Sequence, residues 1–150
     1  MSGVSGLVID ASVAVKWHLR DEELVKEAGT LLERYLARRL TLAAPSFIRY
    51  EVANSLEQAR RHERISAVQA TEELDTFLRF RVHTEEDSDQ LVGLASGVAE
   101  RIGSSVYDAL YIAFSEQTGL DFVTSDLGLL DKVSRYPVTA HHLSDVPELL

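Results

Sequence analysis

Four acidic residues of this chain occupy positions where a carboxylate can do chemistry. They are Asp10, Glu51, Asp108 and Asp126. Asp10 directly follows a short apolar run at 7–9, and Asp126 lies just past another at 122–124; such runs are typical of buried central strands. We therefore expect Asp10 and Asp126 at the carboxyl edge of a sheet, where open α/β sheets bind their ligands. The other two acids lie within helical patterns whose N-terminal parts could reach the same edge.

Carboxylates that gather at one edge repel each other, and such a cluster persists when a cation neutralises it. The chain has no cysteine, so thiolate zinc sites are excluded. Oxygen ligands alone favour Mg²⁺ or Mn²⁺. A site of this kind suits phosphodiester hydrolysis, in which the metal activates a water and stabilises charge on the phosphate.

Each acid also has a structural interpretation. Asp10 and Asp126 stand where an aspartate can cap the helix that follows. Ser105 and Asp108 have the spacing of a capping box, and Glu51 could lie on a helix face that is open to water. Each acid alone is weak support for a metal site. The combination of two acids after strands and two on helices favours one metal site that all four acids share.

The composition is that of a globular protein, with 45% hydrophobic and 26% charged residues in 150. We expect one domain over residues 1–150, with 143–150 as a C-terminal tail. The first residues lack the basic and apolar regions of a signal peptide, and no apolar run approaches the roughly 20 residues of a membrane span. These features, and the absence of cysteine, predict a cytoplasmic protein.

The net charge of −9 counts against a simple nucleic-acid-binding protein, which usually presents a basic face. It is compatible with an enzyme acting on nucleic acid if the acids are concentrated where metal neutralises them. His18, His62 and His83 share no spacing, and we expect them at the surface.

Short apolar runs alternate with longer amphipathic segments along the chain. The predicted strands are 7–9, 40–44, 80–83, 121–124 and 137–139. The predicted helices are 22–39, 46–62, 66–78, 87–102, 106–118 and 127–134. Ser66 is the expected N-cap of the third helix, and Gly103 and Gly119 are the expected ends of two later ones. This alternation predicts a three-layer α/β domain, with a central, mostly parallel sheet flanked by helices.

Four segments together resemble a known family, the PIN-domain nucleases, and in particular the VapC-type toxins of prokaryotic toxin–antitoxin systems. The segments are LVIDASVAVKW at 7–17, PSFIRYEVAN at 45–54, VYDALYIA at 106–113 and FVTSD at 122–126. All four family acids are present in the family order, over nearly the whole chain. One departure is Ser125, where many relatives have a different residue between the threonine and the aspartate.

The resemblance implies a PIN-like fold and a metal-dependent endoribonuclease activity. It implies that Asp10 and Asp108 carry Mg²⁺ or Mn²⁺, and that Glu51 completes the acidic pocket together with Asp126. The hydroxyls at Ser12 and Thr124 would support that pocket. The implied partners are an RNA substrate, a small VapB-type antitoxin that blocks the site, and a second copy of the chain in a homodimer.

Other functions fit parts of the pattern. A nuclease of RNA processing or RNA decay would share the fold and the chemistry without a toxin role. A receiver-like signalling domain also places acids at strand ends, but it usually has paired acids after its first strand, where this chain has only Asp10. A binding module that has kept the fold and lost catalysis is a further alternative, and four intact acids argue against it.

Overall fold

A computed structural model describes residues 3–150, in which a four-stranded parallel sheet is flanked by helices in a three-layer α/β arrangement. The strands are β1 (Gly6–Ile9), β2 (Thr41–Ala43), β3 (Asp121–Thr124) and β4 (Ala140–His142). The helices are α1 (Ala11–Ala14), α2 (Val25–Leu36), α3 (Ile48–Arg61), α4 (Ala67–Phe80), α5 (Asp89–Ile102), α6 (Val106–Thr118), α7 (Leu127–Val133) and α8 (Val146–Leu149). This architecture confirms the predicted fold class.

The sheet order is β2-β1-β3-β4, so β1 is a central strand with a parallel neighbour on each side. All four of its residues are buried, as its unbroken apolar sequence predicts for a strand covered on both faces. Val8 pairs with Phe122, and Ile9 pairs with Val123. This register places Asp10, the residue after β1, beside Thr124 at the end of β3.

The helix boundaries follow local signals that the sequence displays. Ser66 begins α4 with a complete capping box, in which its side chain accepts from the Gln69 backbone and the Gln69 side chain accepts from the Ser66 backbone. Gly103 and Gly119 end α5 and α6, each with a φ of 73°, a left-handed conformation that glycine adopts without strain. These predicted helix ends are confirmed.

Two of the predicted strands, 80–83 and 137–139, are wrong. The segment 80–83 is not a strand, because α4 continues to Phe80 and a left-handed Arg81 then turns the chain. A single parallel bridge joins His83 to Ala44. The last strand begins at residue 140 instead of 137. Pro137 has no N–H and so cannot donate a hydrogen bond to a neighbouring strand.

The last eight residues are not a tail. They form a 3₁₀ turn (Leu143–Asp145) followed by α8, and both pack against α2. Leu143 and Val146 are completely buried. Their spacing of three puts both on one face of a helical turn, and burial of that face holds the segment on the core.

The expected surface position is wrong for two histidines. His18 and His83 are 6% and 9% exposed, respectively. His18 follows a 3₁₀ turn (Val15–Trp17) that directs its ring inward, where it meets the Phe77 ring edge to face at 5.8 Å. Glu73 lies 2.6 Å from its Nδ1 and supplies a hydrogen-bond partner.

No helix within residues 3–150 combines the length and the apolar character that crossing a membrane requires.

Candidate active site

Asp10 lies just beyond β1 and is 6% exposed. Its Oδ1 accepts a hydrogen bond from Ser12 Oγ at 2.5 Å, and its Oδ2 accepts one from Thr124 Oγ1 at 2.6 Å. Asp10 is the N-cap residue of α1 by position, but its side chain makes no capping hydrogen bond. The capping interpretation is therefore wrong for this carboxylate, which is held by two hydroxyl donors instead.

The two hydroxyls are themselves oriented by the backbone beyond β3. Ser125 N–H donates to Ser12 Oγ at 2.9 Å, and Asp126 N–H donates to Thr124 Oγ1 at 3.0 Å. Each hydroxyl has one proton, and the backbone donors leave that proton free to point at Asp10. Both Asp10 oxygens thus receive fixed donors from Ser12 and Thr124, the two hydroxyls that the family resemblance implied would support the pocket.

Burial raises the pKa of Asp10 from 3.8 to about 6. The hydrogen bonds from Ser12 and Thr124 oppose this shift, and the charge of Glu51 adds to it. Burial is the largest of these causes. The ionised form of Asp10 is therefore costly until a positive charge compensates it.

Glu51 lies in the first turn of α3 and accepts a short hydrogen bond from the hydroxyl of Tyr111, on α6. The Tyr111 ring is 1% exposed and stacks on Phe122 with centroids 6.3 Å apart. Burial raises the pKa of Glu51, and the charge of Asp108 raises it further. The sequence analysis did not assign Tyr111 to the site. A buried tyrosine needs a partner for its hydroxyl, and its spacing of three from Asp108 is a signal that could have directed it to the site.

Asp108 lies in the first turn of α6, and its backbone N–H donates to the Ser105 side chain at 3.1 Å. Only this half of the predicted capping box is present: Ser105 caps the helix through the Asp108 backbone, and no hydrogen bond joins the Asp108 carboxylate to the Ser105 N–H. Burial raises the pKa of the Asp108 carboxyl, and the Asp126 charge contributes in the same direction.

Asp126 is the N-cap of α7, and its Oδ1 accepts from the Leu129 N–H at 3.0 Å. Here the capping interpretation is correct. The cap uses one carboxylate oxygen in an exposed residue, so the same side chain also presents its charge to Asp108.

The four acids form a chain of mutual repulsion. Glu51 raises the pKa of Asp10, Asp108 raises that of Glu51, and Asp126 raises that of Asp108. They do not form a closed coordination shell. Across residues 3–150, no three acidic, cysteine or histidine side chains are grouped closely enough to hold a metal ion together. The charges of the predicted acids thus act on one another in one region, but the four side chains do not converge on a single point.

A shallow cavity of about 430 Å³ opens beside the two helical acids. Its lining residues come from α3 and the start of α6. They are Phe47, Tyr50, Glu51, Asn54, Ser105, Tyr107 and Asp108. The site therefore has a buried side at the strand ends and an open side between two helices, which is where a substrate can approach the carboxylates.

Comparison with known proteins agrees with this architecture. The family model of the PIN domain matches residues 7–136. The VapC ribonuclease Mb0985 of Mycobacterium bovis is 31% identical over 126 residues, which cover 83% of this chain and 89% of that protein. Ribonuclease VapC3 of Pyrobaculum aerophilum is 28% identical over 130 residues, covering 84% and 93%, respectively.

Two crystal structures share the fold. PAE2754 from Pyrobaculum aerophilum superposes with a TM-score of 0.71 at 23% identity, over 97% of this chain and 89% of that one. VapBC2 from Rickettsia felis, bound to a DNA fragment from its promoter, superposes with a TM-score of 0.67 at 16% identity. The superposition covers 91% of this chain and 98% of that one. The family match and the 31% identity also rule against a receiver-like signalling domain. The chain belongs to the PIN-domain family and, within it, to the VapC-type ribonucleases.

Proposed function

We propose that this protein is the endoribonuclease toxin of a type II toxin–antitoxin pair and hydrolyses RNA phosphodiester bonds with the help of Mg²⁺ or Mn²⁺. The observation that carries the proposal is Asp10. Its two oxygens are fixed by Ser12 and Thr124 at the carboxyl edge of the sheet, at one end of a chain of repelling acids. The 31% sequence identity between this chain and a VapC ribonuclease also supports the proposal.

The donor set fits a divalent cation of the Mg²⁺ type. Mg²⁺ usually keeps several waters and takes one or two protein carboxylates, so it does not require three converging side chains. Asp10 and Asp108 are the residues that would hold it. A bound cation of this kind supplies an acidified water and neutralises charge on the phosphate.

The chain's own residues supply position and charge. Ser12 and Thr124 hold the Asp10 carboxylate in one orientation, and Tyr111 does the same for Glu51. Glu51 and Asp126 complete the negative pocket and orient the attacking water by accepting its hydrogen bonds. No side chain forms a covalent bond to the substrate in this proposal.

The partners follow from the same relatives. The Rickettsia felis neighbour is a VapBC complex, and we propose a small VapB-type antitoxin that covers the acidic site of this chain. We also propose a homodimer and a cytoplasmic location, where RNA and an antitoxin are both present. A role in RNA processing or RNA decay, with no antitoxin, is the alternative.

Two experiments test the proposal. The purified protein is incubated with total cellular RNA and Mg²⁺ or Mn²⁺, and we expect internal cleavage that a chelator stops. Expression in cells should arrest growth, and co-expression of a small protein encoded beside this gene should relieve the arrest. Cleavage without arrest would favour the RNA-processing alternative. An inactive protein with either metal would contradict the proposed nuclease.

A further inference from the structure

Two tyrosine rings are exposed beside the helical acids. Tyr50 is 68% exposed and Tyr107 is 61% exposed. The Phe47 ring joins them, with its centroid 5.0 Å from that of Tyr107 and 6.2 Å from that of Tyr50. The Phe47 and Tyr107 planes differ by only 18°, so they form a parallel stack with an open outer face on Tyr107.

The rings and the carboxylates line the same cavity. Tyr50 immediately precedes Glu51 in the sequence, and Tyr107 immediately precedes Asp108, so each tyrosine is adjacent to one of the acids. All four side chains line the cavity of about 430 Å³. A molecule that places its phosphate at the carboxylates therefore brings its neighbouring atoms against the rings.

Polar groups complete the surface around the stack. Asn54 is exposed and lines the same cavity, where its amide offers both a hydrogen-bond acceptor and donors. The Arg49 guanidinium lies 5.9 Å from the centre of the Tyr50 ring but lines a different cavity, so it does not border this one. Flat rings and one amide, in a cavity that also holds two of the acids, match a nucleotide: a base that stacks and a base edge that hydrogen-bonds, next to a phosphate at the carboxylates.

A protein partner is the other class of occupant for exposed aromatic rings. Protein interfaces bury extended apolar cores. Here the two tyrosines line one cavity together with Glu51, Asp108 and the Asn54 amide, which favours the base. An unpaired base is required, because a base within a duplex has both faces covered by its neighbours.

We infer that Tyr107 and Tyr50 form a stacking subsite for an unpaired base adjoining the phosphate that is cut, with Asn54 at the edge of that base. The inference rests on the proposed ribonuclease function. It makes single-stranded RNA the substrate form and assigns part of the affinity to stacking. Tyr107 is the principal residue, because its ring lies parallel to Phe47 and is held by it.

The test uses a labelled single-stranded RNA that the wild type cuts, made also with an abasic ribose on either side of the cut bond. We expect the base removal on one side to lower kcat/KM about tenfold or more, the usual effect of one base stacked on an aromatic ring. Tyr107→Ala should cause a similar loss on the intact RNA, mainly through KM, and should be insensitive to the abasic ribose. Tyr107→Phe should behave as the wild type, because stacking does not need the hydroxyl.

Val68→Ala is the control, because Val68 is 66% exposed on α4 and does not line the cavity. Thermal unfolding of Tyr107→Ala should match that of the wild type, and Tyr50→Ala provides a second variant with a smaller expected loss. If Tyr107→Ala cuts the intact RNA normally, or if its effect and the abasic effect simply multiply, the subsite is wrong while the nuclease stands. If Tyr107→Ala cuts normally but escapes a co-expressed inhibitor protein, the rings bind protein and the inference is overturned. If the wild type cuts no RNA, the proposed function and the subsite both fail.

Discussion

The site has two halves that are built differently. The strand half consists of Asp10, Ser12 and Thr124, where the carboxylate is 6% exposed and both of its oxygens have fixed donors. The helix half consists of Glu51 and Asp108, which line an open cavity with exposed aromatic rings. Sheet register fixes the first half, whereas side-chain contacts between α3 and α6, Tyr111 with Glu51 and Tyr107 with Phe47, form the second. The comparison indicates that rigidity and access are supplied by different elements.

This difference predicts how each half responds to change. A substitution in the strand half should alter folding stability and activity together, because the same hydrogen bonds serve both. A substitution in the helix half should alter activity with little effect on the fold, because solvent reaches the side chains.

The largest effect is expected for Asp108→Asn. We expect cleavage to fall by more than about 100-fold, above the 10–100-fold that loss of a partner around a metal ligand typically causes. The midpoint of thermal unfolding should change little. Asp131→Asn, the same change at an exposed aspartate of α7, is the control and should cleave normally. Full activity in Asp108→Asn would remove the helix half from the site.

The next effect concerns pH and the strand half. In chelator, Asp10 has a folded-state pKa of about 6 against 3.8 for an ordinary aspartate. Because the folded pKa is raised, the protonated form stabilises the fold fully below the lower value, and this stabilisation is lost as the pH rises to about 6. The shift corresponds to about 3 kcal/mol.

Asp10→Asn should therefore gain stability relative to the wild type as the pH rises from about 4 to about 7, by up to that amount. Chemical denaturation at both pH values measures the difference, with Asp131→Asn as a variant that should follow the wild type. A constant gap between Asp10→Asn and the wild type at both pH values would mean that Asp10 titrates normally.

Thr124→Val removes one donor to Asp10 from a residue that is completely buried. We expect a loss of about 10–100-fold in cleavage and of about 1–3 kcal/mol in the free energy of unfolding, because the Asp126 N–H also loses its acceptor. Thr124→Ser keeps the hydroxyl and should restore most of the activity. A loss of activity with unchanged stability would contradict the idea that the hydrogen bonds of the strand half support both folding and activity.

The smallest effect on cleavage is expected for Ser105→Ala, which removes the N-cap of α6 beside the helix half and leaves Glu51 and Asp108 themselves unchanged. Loss of such a cap typically costs about 1 kcal/mol. Cleavage should fall less than for Thr124→Val, because the Ser105 bond engages the Asp108 backbone. If Ser105→Ala were the more damaging of the two for cleavage, the helix half would be the rigid one.

The position of the strand half could be predicted from sequence better than that of the helix half. A short apolar run marks a buried strand, and parallel strands end at one edge, so Asp10 could be placed from sequence at the same edge as the end of the strand 121–124. The position of Glu51 depends on how α3 packs against α6, which no local pattern encodes. The contact between Tyr111 and Glu51 could not be predicted for the same reason, because the two residues are 60 positions apart in sequence.

Other differences came from tertiary packing that overrides local signals. The segment 143–150 has no strong helical pattern, yet burial of Leu143 and Val146 holds it on the core. His18 has no informative spacing, and only the surrounding aromatic rings explain its burial. Caps and glycine stops, which depend on a few neighbouring residues, were predicted correctly at Ser66 and Gly119.

The most direct test of the central claim, that both halves form one metal site, is thermal unfolding with and without Mn²⁺. The proteins are the wild type, Asp10→Asn, Asp108→Asn and the double variant. Mn²⁺ at 100 times its dissociation constant stabilises the fold by about 2.7 kcal/mol, or roughly 5–10 °C for a domain of this size. The account predicts that shift in the wild type, little of it in either single variant and no further loss in the double variant. A wild type without the shift, or single variants that each keep about half of it, would contradict a shared site.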